Sequence, residues 1–306
     1  MTYKPLAPDY VQFYPTVRCN QSCGFCFNRA MPAMDDMPLA SIRRMIDRLT
    51  SADVGTIDIM GGEPTLHGDL LALIECARRK SMGINISSNG SDTHMLAEIM
   101  RRYPGVAVGV SVNDQKGLAA LERFIGKHRP IVKTVFSRTV DHELIERTIA
   151  LRPRAYYLLY RDALEPAGLQ EALPLDRFLE TVGSRYGDRA GVVFCSGFLP
   201  DLGRYPQLRT TRCPAGTTKL GIMPDGSVYP CNLFFGIDGY RIGNILTDPF
   251  ETIWKHKALA FFRTFAGNRC TRSSCGLHAR CHGGCPAHNL FHHGKPTGTD
   301  PRCMRE

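Results

Sequence analysis

Three cysteines, Cys19, Cys23 and Cys26, fall within eight residues in the stretch RCNQSCGFCFN. Three thiolates spaced C-x-x-x-C-x-x-C on a loop can wrap one corner of a cubic iron-sulfur cluster, whereas a closed structural metal site wants four ligands. Phe27, Asn28 and Arg29 come next, so no His or Cys immediately downstream completes the set. One iron would then stay open to a substrate. Zinc completed by a distant residue is the competing reading.

Toward the other end, Cys213, Cys231, Cys270, Cys275, Cys281, Cys285 and Cys303 supply seven more thiols, spaced too unevenly for a single zinc ribbon. Cys281, Cys285, His288 and His292 could pass for a zinc finger, but their intervals are short. Cys76 lies in LLALIECARR on the apolar side of a predicted helix, where a free cysteine behaves as a small buried hydrophobe.

The compartment bears on how these thiols are read. The opening residues MTYKPLAPDY lack the apolar block of a signal peptide, and no run of 18 apolar residues exists, which predicts a cytoplasmic protein without a membrane segment. In a reducing cytosol twelve cysteines point to metal or catalytic use rather than to disulfides. The net charge of +9 comes from scattered Lys and Arg with no run of five, the pattern of a solvated surface rather than a nucleic-acid site. Thiolate-held clusters would offset part of it.

The elements that position the thiols follow from periodicity. β-rich apolar runs near 10 to 17, 56 to 60, 83 to 88, 106 to 112, 131 to 136 and 155 to 160 predict six strands. Helical spacing lies between them, as in Leu39, Ile42, Met45, Ile46 and Leu49, in Leu70, Leu71, Leu73 and Ile74, and in Leu118, Leu121, Phe124 and Ile125. Strands read as apolar on both faces, alternating with helices, imply a parallel sheet, doubly wound or curled into a barrel. Either puts reactive groups at the carboxyl ends of strands, and the first cysteine trio follows the first strand.

A helix near 174 to 186 and the run GVVFCSG end this pattern, and composition then shifts to Gly, Pro, Cys and His. A boundary near residue 200 is expected, dividing the chain into 1–200 and 201–306. The second part opens on two short strands around a Pro-Asp-Gly turn in LGIMPDGSVYPC. A helix carrying Trp254 follows.

C-x-x-x-C-x-x-C after the first strand, with GGEP at Gly61 to Pro64 ending the second, resembles the radical S-adenosylmethionine (SAM) enzymes. The resemblance implies a partial (β/α)6 TIM-like barrel, and a 4Fe-4S cluster on Cys19, Cys23 and Cys26 whose open iron is chelated by SAM. Gly61 and Gly62 would let backbone approach the methionine moiety, and Glu63 would receive its ammonium group. Ser87 and Asn89 in SSNG, and Ser111 in VSVND, match polar residues that touch SAM in relatives. Such enzymes split SAM into methionine and a 5′-deoxyadenosyl radical, fed by an electron donor such as flavodoxin or ferredoxin.

The second cysteine set resembles the SPASM extension of that family, with Gly226 to Cys231 matching its Gly-x-x-x-x-Cys. Where the family begins its four-cysteine group with C-x-x-C, this chain has four residues between Cys270 and Cys275. The resemblance assigns Cys213, Cys231 and Cys285 to one auxiliary iron-sulfur cluster and Cys270, Cys275, Cys281 and Cys303 to another. Cys195 could complete the first, donate hydrogen to a substrate radical as in epimerases, or be buried.

Auxiliary clusters favour oxidation, either dehydrogenation or cross-linking of a ribosomally made peptide. The residue after Cys231 is Asn232, which cannot serve as the carboxylate base that sulfatase maturases carry there. A first strand starting by residue 10 suggests that any leader-peptide-binding unit is a separate protein. Two alternatives stand beside this reading: a small-molecule dehydrogenase or epimerase of the sugar or aminocyclitol type, and a zinc- or cluster-stabilised nucleic-acid binder. Lys133, Arg138 and Arg161, read as near strand ends, would make a basic mouth suited to a carboxylate-bearing substrate.

Overall fold

The computed structural model describes residues 7–29, 31–193, 213–265, 275 and 284–303. Six strands fall where the β-rich runs predict them: β1 (Tyr10–Phe13), β2 (Thr56–Ile59), β3 (Gly83–Ser88), β4 (Ala107–Ser111), β5 (Ile131–Phe136) and β6 (Ala155–Tyr160). Gly191–Val193, the start of GVVFCSG, adds a seventh, β7. β1 to β7 run parallel in chain order, each bonded to the next. Between strands lie α1 (Leu39–Ser51), α2 (Leu70–Arg79), α3 (Thr93–Arg102), α4 (Gln115–His128), α5 (His142–Ala150), α6 (Pro166–Glu171) and α7 (Leu175–Arg185). This is the parallel sheet with interleaved helices that the alternation predicts, in the strand order of the partial barrel that the resemblance implies.

The helices sit where their apolar stripes demand. Ile42, Met45, Ile46 and Leu49 of α1 are buried, as are Leu118, Leu121, Phe124 and Ile125 of α4. Removing such a side chain from water contributes about 2 kcal/mol apiece. Asp92, Asp114 and Asp141 cap α3, α4 and α5 by accepting backbone N–H groups of the first turn.

The strands depart from the expectation of two apolar faces. Successive side chains alternate across a sheet, and here Ile84, Ile86 and Ser88 are buried while Asn85 and Ser87 between them are half-buried. In β6, Tyr156, Leu158 and Tyr160 are buried and Tyr157 and Leu159 half-buried. One face packs under helices. The other carries Gln12, Asp58 and Asn85 in register across β1, β2 and β3, and Ser111, Lys133 and Tyr157 across β4, β5 and β6. The lumenal face is therefore polar.

The Pro-Asp-Gly hairpin forms as predicted from β8 (Lys219–Ile222) and β9 (Ser227–Tyr229), and β10 (Gly243–Asn244) pairs antiparallel with β9. Gly226 closes the turn at φ 82°, and its N–H donates to Met223 O at 2.9 Å. The hairpin extends the barrel sheet: β8 lies parallel to β1, with Tyr10 to Phe13 opposite Lys219 to Ile222. The sheet thus runs β10-β9-β8-β1-β2-β3-β4-β5-β6-β7. The expected boundary near residue 200 lies outside the described residues. Among the described residues three helices follow: α8 (Phe250–Trp254), α9 (Leu259–Thr264) and α10 (Pro286–His293). No helix among the described residues is long and apolar enough to cross a membrane.

Candidate active site

The loop after β1 gathers the first three cysteines. Cys19 is exposed and Cys23 and Cys26 are half-buried. Burial raises the Cys23 thiol, and the neighbouring Cys26 and Cys19 raise it further; burial likewise raises Cys26, with Cys19 adding to it. The three sulfurs therefore feel one another. Among the described residues no three His, Cys, Asp or Glu side chains close on a single metal ion. Thiols that are close without converging on one point fit separate corners of a cubane, whose positive core would offset their mutual repulsion.

The GGEP turn is locked onto this loop. Gly62 N–H donates to Thr16 O at 3.1 Å and Glu63 N–H to Arg18 O at 2.7 Å. A Cβ on Gly62 would stand 2.0 Å from Arg18 O, and one on Gly61, at φ 132°, would stand 2.4 Å from Thr16 O. The glycines let the chain approach itself closely at this turn.

Glu63 is likewise engaged within the chain. Its carboxylate is fully buried and occupied by the protein: Oε1 accepts from Thr65 N–H at 3.0 Å, Thr65 Oγ1 at 2.7 Å and Ser88 Oγ at 2.8 Å, and Oε2 accepts from Asn89 N–H at 2.7 Å. It pins the end of β3 to the end of β2. Pro64 opens the short 3-10 turn Pro64–Leu66.

Asn89 carries the connection back to the cysteines, its Nδ2 donating to Asn20 Oδ1 at 2.8 Å and lying 3.8 Å from Cys19 Sγ. Ser87 Oγ accepts from Lys133 Nζ at 2.7 Å, and Ser111 is the register neighbour of Lys133. Lys133 lies in mid-strand, not at a strand end. Burial brings its ammonium down to about 8, with Asp58 pulling the other way. Arg138 is exposed and its Nε donates to Ala172 O, so of the three expected mouth cations Lys133 alone is buried. Arg161 follows β6 directly and is half-buried.

One connection was not foreseen. Tyr14, buried at the end of β1, accepts from Asn28 Nδ2 at 3.2 Å and from Asn232 Nδ2 at 3.3 Å. Asn28 Nδ2 also reaches Gly61 O, and Asn232 N–H donates to Gln12 Oε1. The residue two after Cys26 is thereby tied to the residue one after Cys231. A buried aromatic with a polar tip needs such partners, and that requirement was the available signal. Burial pushes the Tyr14 phenol far above its ordinary range, against the bonds from Asn232 and Asn28.

In the second cysteine region Cys231 is buried, and Cys213, Cys275, Cys285 and Cys303 are half-buried. Burial pushes the Cys285 thiol well up; Arg302 opposes this and Cys213 adds to it, so Cys213 and Cys285 are electrostatic neighbours. Two thiols in so low a dielectric fit a cluster that takes them as thiolates. Cys195, Cys270 and Cys281 lie outside the described residues. Cys76, on α2, packs half-buried against the core.

A family model described as the radical SAM superfamily matches residues 13–131, and one described as the SPASM iron-sulfur cluster-binding domain matches residues 213–286. Mycofactocin maturase MftC of Mycolicibacterium smegmatis is 28% identical, covering 97% of this chain and 83% of its own length. PqqA peptide cyclase of Xanthomonas campestris pv. campestris is 27% identical over 95% of this chain and 85% of its own. Among solved structures, Streptococcus suis SuiB bound to precursor peptide SuiA shares the fold at a TM-score of 0.73 and 18% identity, over 97% of this chain and 76% of that one. The thiol loop locked to its GGEP turn lies inside the first matched region and the hairpin leading to Cys231 inside the second: the chain carries a radical SAM domain and a SPASM iron-sulfur cluster-binding domain, which take as cofactors a SAM-binding 4Fe-4S cluster, auxiliary clusters and SAM.

Proposed function

We propose that this enzyme matures a ribosomally made peptide by dehydrogenating or cross-linking it. The observation that carries this reading is the adjacency of the two cysteine regions across one strand. β1 feeds the Cys19 loop, β8 of the SPASM hairpin lies directly beside it, and Tyr14 bridges Asn28 and Asn232. An oxidation needs an electron acceptor near the reacting carbon, and this adjacency supports reading Cys231 as a ligand of such an acceptor.

The residues divide the work as follows. Cys19, Cys23 and Cys26 hold the first cluster, and the Gly61 to Pro64 turn shapes the floor beside it. Ser87, Asn89 and Ser111 present polar groups to SAM from the ends of β3 and β4. When bound, these cofactors supply a 5′-deoxyadenosyl radical that abstracts hydrogen from the substrate. Cys213, Cys231 and Cys285 hold one auxiliary cluster, and Cys275 and Cys303, with Cys270 and Cys281, hold another. The polar lumenal face receives the peptide backbone and orients it, and Arg161, half-buried directly after β6, favours a substrate that bears a carboxylate.

Asn232 offers an amide, not a carboxylate, and is engaged with Tyr14 and Gln12. It supplies no proton acceptor of the kind a sulfatase maturase uses. Named relatives support the peptide class: one is a PqqA peptide cyclase, and SuiB has been crystallised with its precursor peptide. A flavodoxin or ferredoxin would deliver the electron. The test is anaerobic turnover of a short peptide encoded beside the gene, read by mass spectrometry. Loss of two hydrogens per event, dependent on SAM and dithionite, supports the reading. Turnover of a free sugar or aminocyclitol with the peptide left unchanged would overturn it.

A further inference from the structure

Behind the auxiliary cysteines lies a buried ion pair that the roles above do not use. Arg302 binds Asp300 through Nε to Oδ1 at 3.0 Å and Nη2 to Oδ2 at 2.9 Å, and both side chains are almost wholly buried. Asp300 Oδ2 also accepts the backbone N–H of Cys285 at 2.9 Å. A Cβ on Gly284, at φ 92°, would stand 2.2 Å from Asp300 Cβ, so the glycine is what lets the carboxylate lie this close.

The pair is fixed to the barrel rim. Arg302 Nη1 donates to Arg161 O at 3.2 Å, its guanidinium lies 4.6 Å over the Tyr160 ring, and Asp162 Oδ1 is 3.7 Å from it. From α10, His288 Nε2 accepts Ala163 N–H at 2.9 Å and His292 Nε2 donates to Ala163 O at 2.7 Å. Because that His288 nitrogen is an acceptor, it carries no proton, and its 3.5 Å approach to Asp162 is not an ion pair. One turn of helix thus grips one residue on both its backbone polar groups, and the segment bearing Cys285 is held against the end of β6.

We propose that Asp300 and Arg302 are positioning residues that set the reduction potential of the cluster held by Cys285, through opposed charges fixed beside that thiolate. This rests on the assignment of Cys285 to an auxiliary cluster. A buried ion pair is a poor source of net stability, since desolvation offsets most of its attraction. Near a cluster, however, fixed charge and hydrogen bonding are direct determinants of potential. Asp300 Oδ2 accepts the Cys285 N–H and is itself held by Arg302, so a fixed negative and a fixed positive charge lie beside Cys285 and act on its cluster in opposite senses.

The test is a potential titration of the reconstituted holoenzyme, followed by electron paramagnetic resonance, alongside iron content and substrate-free SAM cleavage. Arg302→Gln should shift one auxiliary midpoint to more negative values and Asp300→Asn should shift it to more positive values. The double variant, which leaves no uncompensated charge, should return it close to wild type. SAM cleavage should be unchanged in all three. If the single variants lose auxiliary iron, the double variant decides: iron retained at the wild-type potential supports the proposal, and iron lost there too assigns the pair to structure alone and overturns it. Unshifted potentials with full iron also overturn it. A wild-type enzyme that binds no auxiliary iron would instead remove the cluster assignment beneath it.

Discussion

Glu63 and Asn89 join the ends of two neighbouring strands: the buried Glu63 Oε2 accepts the Asn89 N–H at 2.7 Å, and the Asn89 amide reaches the Cys19 loop. The carboxylate thereby supports the thiol loop through the chain. Glu63→Gln replaces one acceptor oxygen by an NH2 among donors, leaving buried groups without partners. It should cost about 2 kcal/mol of stability and loosen the thiol loop. Thermal unfolding of the protein as purified, with iron content after reconstitution, checks both expectations.

Gly62→Ala should be far more damaging than its size suggests. The added methyl meets the Arg18 carbonyl at 2.0 Å, a backbone atom that cannot move without opening the loop. Loss of about four irons out of about twelve is expected, with the auxiliary irons kept. Gly126→Ala, in α4 with no atom within 4 Å of the new methyl, is the control and should stabilise the protein by roughly 1 kcal/mol.

Tyr14→Phe deletes the hydroxyl between Asn28 and Asn232 and keeps the ring, which packs edge-on to Phe235. Asn232, buried, and Asn28, half-buried, then each lose a partner, at about 1–2 kcal/mol. Because the bridge joins the two cysteine regions, product formed per SAM cleaved should fall more than SAM cleavage itself. Parallel quantification of 5′-deoxyadenosine and modified peptide gives that ratio.

Lys133 gives a pH signature of known sign. Burial lowers its folded value to about 8 from 10.5, so between those values the unfolded chain binds more protons and stability rises with pH. The full span corresponds to on the order of 3 kcal/mol. Denaturant unfolding of Lys133→Met should lack that rise between pH 8 and 10, while the unaltered protein shows it.

Much of this architecture was legible in the chain because its signals are local. The stripe Ile42, Met45, Ile46 and Leu49 is a 3.6-residue pattern, and the β-rich runs preceding each helix leave little choice but parallel strands. The cysteine spacing and GGEP were equally local. What escaped detection is non-local. No spacing discloses that β8 pairs with β1 from more than two hundred residues away, or that Asn232 meets Tyr14. Lys133 was misplaced because IVKTVF reads as apolar with one lysine near an end, whereas the register puts that lysine on the lumenal face. The Gly62 contact with Arg18 depends on how two loops meet, which only the folded chain determines.

The most direct test of the account is SAM cleavage by Cys23→Ala. The anaerobically reconstituted enzyme with SAM and dithionite should release 5′-deoxyadenosine; the variant should release none, while keeping its auxiliary iron and its fold. A variant that still cleaves SAM at the wild-type rate would contradict the claim that Cys19, Cys23 and Cys26 hold the cluster to which SAM binds.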